Sequence, residues 1–80
     1  AYDEQGQYAQ AIADYNQGLK IGPQCKNVYN NRGIAYEQQG QYAKAIADYT
    51  QALNIDPQYK EAYRNRKDAY EQQNRYAKAI

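Results

Sequence analysis

The apolar residues of this chain recur at helical spacing, in segments separated by glycine or proline. Between Tyr8 and Lys20 they fall at i, i+3, i+4, i+7 and i+11, with polar residues between them: Tyr8, Ala11, Ile12, Tyr15 and Leu19. This spacing predicts an amphipathic helix. The preceding Gly6-Gln7 predicts a turn after a truncated helix over residues 1–5. Ile21-Gly22-Pro23 predicts the end of the helix, since proline cannot extend one.

The same pattern returns further along, now with a first helix in front of it. Residues 27–39 are predicted to form that first helix, Gly40-Gln41 the turn, and residues 42–54 the second helix, which ends before Pro57. A third copy predicts a helix from Lys60 to about Gln73 and a turn at Asn74-Arg75. The expected architecture is therefore a series of antiparallel helix pairs.

The copies share one fixed period. Residues 1–25 match residues 35–59 at 17 of 25 positions, and residues 26–46 match residues 60–80 at 14 of 21, both with an offset of 34. Such a period predicts an all-α solenoid, whose units bury their apolar faces by stacking. We divide the chain into a partial unit (1–25), a complete unit (26–59) and a second partial unit (60–80), and interpret it as a fragment of a longer array.

Small residues and tyrosines are expected to make the packing. The chain has 11 Tyr and no Phe, Trp or Met, so tyrosine is its only aromatic residue. Gly33 lies mid-helix, where glycine is unfavourable relative to alanine by roughly 1 kcal/mol, which indicates a close helix crossing with Ala45 nearby. We expect the tyrosines to fill the space between helices while their hydroxyls reach the surface.

The composition offers little for catalysis. The chain has no His and no Ser, and its one Cys, Cys25, follows Pro23 with no base nearby. These absences argue against an enzyme, a disulfide, a zinc site or a cofactor. The formal net charge is +1, and no segment is apolar enough to span a membrane. We expect a soluble protein, cytoplasmic by default, that binds neither nucleic acid nor membrane.

Several residues carry a resemblance to the tetratricopeptide repeat family. The matching positions of the complete unit are Tyr29, Gly33, Tyr36, Ala45, Tyr49, Ala52 and Pro57. The first partial unit matches at Tyr2, Ala11, Tyr15 and Pro23, and the last at Tyr63, Tyr70 and Ala79. The resemblance implies a right-handed superhelix of helix pairs that acts as a protein-interaction scaffold without enzymatic activity.

The chain departs from the family pattern at three positions in the first helices. Arg32 and Arg66 stand where the family usually has leucine, and Lys67 replaces the glycine itself. One hypothesis is that Arg32 pairs with Asp14 and Arg66 with Asp48, on neighbouring second helices; the alternative is that both arginines are solvated. We expect Lys67 to loosen the third helix pair.

The resemblance also implies a binding surface, because the first helices of this family line an inner groove. The residues it places there are Asn27, Asn30, Asn31, Ile34, Gln38, Glu61, Arg64, Asn65, Asp68 and Gln72. Asn31 and Asn65 lie one period apart, and side-chain amides suit the main chain of an extended peptide. The family's carboxylate clamp is not expected, since Glu61 and Asn65 stand where its basic residues would be. The alternative is that these residues only solvate a helix face.

Two other functions remain open. The units at both ends leave five tyrosines and one isoleucine poorly covered, so the chain could associate with itself by end-to-end stacking or by exchange of helix pairs. These residues are Tyr2, Tyr8, Tyr63, Tyr70, Tyr76 and Ile80. Related helical repeats bind RNA, and the chain mixes tyrosine with basic residues. Its near-neutral charge argues against RNA.

Overall fold

A computed structural model describes residues 2–22 and 25–79, with the side chains of residues 6–22 and 25–75. It contains four helices: α1 (Tyr2–Ile21), α2 (Lys26–Gln38), α3 (Tyr42–Ile55) and α4 (Lys60–Ala79). Each helix packs against the next along the chain, and α2 also touches α4. The predicted all-α array of stacked helices is confirmed.

The turn between α2 and α3 forms where the sequence predicted it. Gly40 has φ +78°, a left-handed conformation that glycine adopts without steric penalty. Its N–H donates to the carbonyl of Glu37 at 2.9 Å, and the N–H of Gln41 donates to that of Tyr36 at 2.9 Å. These bonds close the end of α2 and reverse the chain, so α2 and α3 form one antiparallel hairpin.

The predicted turn at Gly6-Gln7 is wrong, because α1 runs through it as a single helix of 20 residues. Gly6 is the counterpart of Gly40, but only five residues precede it in this chain. A turn there would fold back a segment too short to bury an apolar face, whereas helix continuation keeps every backbone hydrogen bond. The predicted end of α1 near Gly22 is confirmed, and Pro23 lies outside the described residues.

The predicted turn at Asn74-Arg75 is also wrong, because α4 continues through it to Ala79. Asn74 takes the place of Gly40, and asparagine adopts a left-handed conformation less readily than glycine. Lys67 takes the place of Gly33, which removes the close approach that a returning helix would need. Both substitutions favour a straight helix.

Two clusters of buried side chains lie where α3 packs against α4. One cluster joins Ala45 and Tyr49 to Ala69 of α4, and a second joins Ala52 and Leu53 to Ala62. All of these side chains except that of Leu53 have no exposed surface, and Leu53 is 7% exposed. Alanines at the contacts allow α4 to lie close against α3.

Gly33 has the packing role that the sequence predicted. A Cβ atom at this position would lie 2.5 Å from Cε1 and 2.8 Å from Cδ1 of Tyr49. The ring of Tyr49 therefore occupies the space that any other residue at position 33 would need. Glycine sets the distance between α2 and α3.

The tyrosines predicted to be uncovered at the ends divide into three groups. Tyr63 and Tyr70 on α4 are 47% and 49% exposed, and Tyr8 on α1 is half-buried. The side chains of Tyr2 and Tyr76, and residue Ile80, lie outside the described residues. Among the helices that are described, none combines the length and hydropathy needed to cross a bilayer.

Candidate binding surface

α2 is enclosed on three sides and open on one. It packs against α1, α3 and α4, and its open face presents Asn31, Ile34 and Gln38 at i, i+3 and i+7. All three side chains are exposed, and Ile34 is one of the few large apolar residues at the surface, 37% exposed. Asn27 lies at the start of this face, and its side-chain oxygen accepts a hydrogen bond of 2.9 Å from the hydroxyl of Tyr59.

Asn30 lies on a different face from Asn31. Its side chain is 2% exposed, and its oxygen accepts a hydrogen bond of 3.1 Å from Nδ2 of Asn65 on α4. Adjacent residues on a helix point about 100° apart, so both asparagines could not line one surface. Asn30 and Asn65 join the two first helices and so hold the surface in shape.

The part of the surface on α4 carries charges of both signs. Glu61, Arg64 and Asp68 are exposed, whereas Asn65 and Gln72 are half-buried. The surface thus combines amides and an apolar side chain on α2 with separated charges on α4. A hydrogen-bonded amide pair connects the two helices.

A carboxyl pair joins α2 to α4 next to this surface. Glu37 lies within hydrogen-bonding reach of Asp68, and its Oε1 accepts a bond of 2.8 Å from the hydroxyl of Tyr49. Burial, followed by the contact with Asp68, raises the pKa of Glu37 to about 7. Burial and the same hydrogen bond raise the pKa of Tyr49, so its hydroxyl stays protonated and acts as the donor.

Comparison with known families agrees with the repeated helical architecture. Residues 27–59 match the family model described as Tetratricopeptide repeat, and residues 1–40 match one described as TPR repeat. The chain belongs to the tetratricopeptide repeat (TPR) family. No curated protein matches the chain significantly. TPR arrays are in general protein–protein interaction modules.

The arginine that replaces leucine in the complete TPR unit forms an ion pair inside its own hairpin. Nε of Arg32 donates to Oδ2 of Asp48 at 2.8 Å and Nη2 donates to Oδ1 at 2.6 Å, with both side chains largely buried. This bidentate pair raises the pKa of Arg32. The hypothesis that Arg32 pairs with Asp14 is therefore wrong, and so is the alternative that Arg32 is simply solvated. On α1 its Nη1 contacts Oδ1 of Asn16 instead, at 2.7 Å.

The second arginine keeps only part of this arrangement. Nη1 of Arg66 donates to the hydroxyl of Thr50 at 3.2 Å, as Arg32 does to Asn16 one unit earlier. The expected pair between Arg66 and Asp48 is wrong, since Asp48 is held by Arg32. Arg32 and Arg66 thus bond to equivalent positions on the preceding second helix.

An ion pair fixes the start of α2. Lys26 pairs with Asp56, and its Nζ lies 5.1 Å from the centre of the Tyr59 ring. The hydrogen bond from Lys26 lowers the pKa of Asp56. Together with the bond between Tyr59 and Asn27, this contact ties the loop after α3 to the first turn of α2.

The sequence reading missed Glu37 and the hydroxyl of Tyr49. A signal was available, because Glu follows Tyr at the same place in the second and third units, at Glu37 and Glu71. A repeated acidic residue beside a packing position indicates a hydrogen-bond partner in the next helix. The sequence does not show that this partner is the hydroxyl of Tyr49, because that depends on how α2 and α3 cross.

Proposed function

We propose that this TPR array is a non-enzymatic scaffold that binds an extended peptide along the open face of α2 and the neighbouring face of α4. The observation that carries the proposal is the enclosure of α2 on three sides by α1, α3 and α4. The face that remains combines two amides with an exposed Ile34.

The chemistry of this face suits a peptide main chain. Asn31 and Gln38 each offer a donor and an acceptor, which match backbone N–H and C=O groups whatever the peptide sequence. Ile34 lies between them and provides an apolar contact for one peptide side chain. Arg64 and Asp68 on α4 would select charged side chains of the peptide at separate positions.

The test begins with the selection of peptides of 12 random residues that bind the immobilised chain from a phage-displayed library. Fluorescence anisotropy then measures the affinity of labelled peptides for the chain and for the double variant Asn31→Ala/Ile34→Asp. A matched control is Asn54→Ala, which removes an exposed asparagine from α3.

We expect the double variant to weaken binding at least about tenfold, and Asn54→Ala to leave binding unchanged, because residues central to an interface carry most of its binding energy. Selected peptides that bind the double variant as tightly as the parent chain would contradict the proposal. A loss of binding in Asn54→Ala would place the site on another face.

Self-association is a second candidate function, favoured by one observation. Tyr63 and Tyr70 are about half exposed on one face of α4, whereas their counterparts Tyr29 and Tyr36 are half-buried. A tyrosine face of this kind buries substantial apolar area on contact with a partner.

A further inference from the structure

We infer that a second copy of this chain covers the open face of α4 with its α1, and that the two helices reproduce between chains the hairpin that α2 and α3 form within one. This inference rests on the proposed self-association and names its partner surface. The face of α4 concerned is lined by Tyr63, Arg66, Lys67, Tyr70, Glu71 and Asn74, and encloses a shallow cleft of ≈ 450 Å³.

Arg66 already has the conformation that the pairing requires. Its guanidinium carbon lies 5.5 Å from the centre of the Tyr63 ring, as that of Arg32 lies 5.5 Å from the Tyr29 ring. Its Nη1 donates to Thr50, as that of Arg32 donates to Asn16. The two arginines thus share two of their contacts.

Arg32 also lies over the Tyr36 ring and pairs with the carboxylate of Asp48, whereas Arg66 forms no ion pair among the described residues. One period before Asp48 lies Asp14 of α1, which is exposed and forms no ion pair within the described part of the chain. Arg66 and Asp14 are therefore the counterparts of Arg32 and Asp48, one period away along the chain. A single chain cannot bring them together, because α2 and α3 separate α1 from α4.

A second polar contact of the α2–α3 hairpin also has counterparts on α1 and α4, one period away along the chain. The hydroxyl of Tyr49 donates to Glu37 in the α2–α3 hairpin, and the counterparts of these residues are Tyr15 on α1 and Glu71 on α4. Tyr15 is half-buried and Glu71 is exposed. Charge complementarity and hydrogen bonding thus agree on the same register of α4 against α1 of the second copy.

The shapes of the helices agree with this pairing. α1 and α4 are each continuous through the position of a hairpin turn, so each presents one straight helix to the contact. In the antiparallel register of α2 and α3, these two straight helices lie side by side. The contact is head-to-tail, so further copies can add at each free end.

Lys67 weakens the association. Its counterpart Gly33 has no room for a Cβ atom against the Tyr49 ring, so Lys67 cannot approach Tyr15 of the second copy as closely. The lysine stem must extend along the ring towards solvent, and the helix axes must lie further apart. Replacing Lys67 by glycine restores the residue that the tight hairpin uses.

The experiment measures the weight-average mass of the purified chain by sedimentation equilibrium between about 10 and 500 μM. We compare the parent chain with Asp14→Arg, with Arg66→Asp, and with an equimolar mixture of these two variants. Circular dichroism at low concentration checks that each variant remains helical. Lys44→Glu, a charge reversal at an exposed site on α3, is the matched control.

We expect each single reversal to weaken association at least about tenfold, because it places like charges opposite each other, and the mixture to regain it, because an opposite pair then faces each other at every junction. Lys67→Gly is expected to strengthen association, and Lys44→Glu to leave it unchanged.

The outcomes separate two kinds of failure. A parent chain that stays monomeric over the whole range overturns the self-association itself. A parent chain that associates equally well in both reversals, without recovery specific to the mixture, overturns the α4–α1 pairing while self-association stands. Association that Lys67→Gly leaves unchanged or weakens also contradicts the register.

Discussion

Replacing Gly33 by alanine tests the close contact between α2 and α3. The added Cβ would lie 2.5 and 2.8 Å from two carbons of the Tyr49 ring, distances that require the ring or a helix to move. The ring has no exposed surface, and its hydroxyl is held by Glu37, so it has little freedom to shift. We expect Gly33→Ala to destabilise the protein although alanine is the better helix former.

Two opposing contributions determine how much Gly33→Ala changes the free energy of unfolding. Overpacking a well-packed core is unfavourable by typically 1–3 kcal/mol, and a rigid buried ring places this site near the upper end, at about 3 kcal/mol. The helix propensity of alanine offsets about 1 kcal/mol. The net loss in the free energy of unfolding is therefore about 2 kcal/mol, which lowers the Tm of a domain of this size by roughly 8–16 °C.

Gly18→Ala is the matched control, since Gly18 also lies inside a helix but a Cβ there meets nothing within 4 Å. Urea denaturation followed by circular dichroism should show Gly18→Ala gaining up to about 1 kcal/mol while Gly33→Ala loses stability. In a Tyr49→Leu background, which removes the ring, Gly33→Ala should become neutral or stabilising. If Gly33→Ala is as stable as the parent chain in the Tyr49 background, the close contact does not determine the helix spacing.

Two further predictions concern the ionisable groups. Asp48→Asn should lower the free energy of unfolding by about 2–3 kcal/mol, because it leaves the largely buried Arg32 without its charge partner. The control Asp14→Asn, measured at a concentration where the chain is monomeric, should change it by less than about 0.5 kcal/mol. Equal effects of the two substitutions in urea denaturation would refute the special role of the Arg32–Asp48 pair. Because burial and the nearby Asp68 raise the pKa of Glu37 from its usual 4.5 to about 7 in the folded state, its protonation stabilises the fold below about pH 4.5, and this contribution is lost as the pH rises through 7. Glu37→Gln should remove that decline, about 1–2 kcal/mol after a discount for partial exposure. A Glu37→Gln variant whose stability still declines between pH 4.5 and 8 as much as that of the parent chain would contradict the raised pKa of Glu37.

The period predicts α2 and α3 well because their local signals and their packing agree. Gly40 can adopt a left-handed turn, and Gly33 gives the returning helix a place to pack. At Gly6 the local signal is the same, but a turn forms only if the segment folded back can bury a face. Sequence spacing alone does not include that condition, so the prediction there was wrong.

The helices that form the candidate surface were predictable from the sequence, and the exposure of its individual residues was less so. Ile34 and Asn31 are exposed on the open face of α2. Asn30 was placed beside them although helical geometry directs it elsewhere. The partner of Arg32 could not be chosen from the sequence, because Asp14 and Asp48 lie at equivalent positions of adjacent units and only the crossing of the helices distinguishes them.

The two sides of the α4 interface differ in a way that matters for mechanics. Towards α3, α4 is held by close-packed alanines around Ala69, whereas towards α2 it is held by polar contacts such as the bond between Asn65 and Asn30. Apolar packing resists separation over its whole area, while a hydrogen bond between side chains can be replaced by water at little net energy. Under tension, or when a bulky ligand enters, the array should therefore open between α2 and α4. The contact of α3 with α4 should stay closed and act as the hinge of this motion.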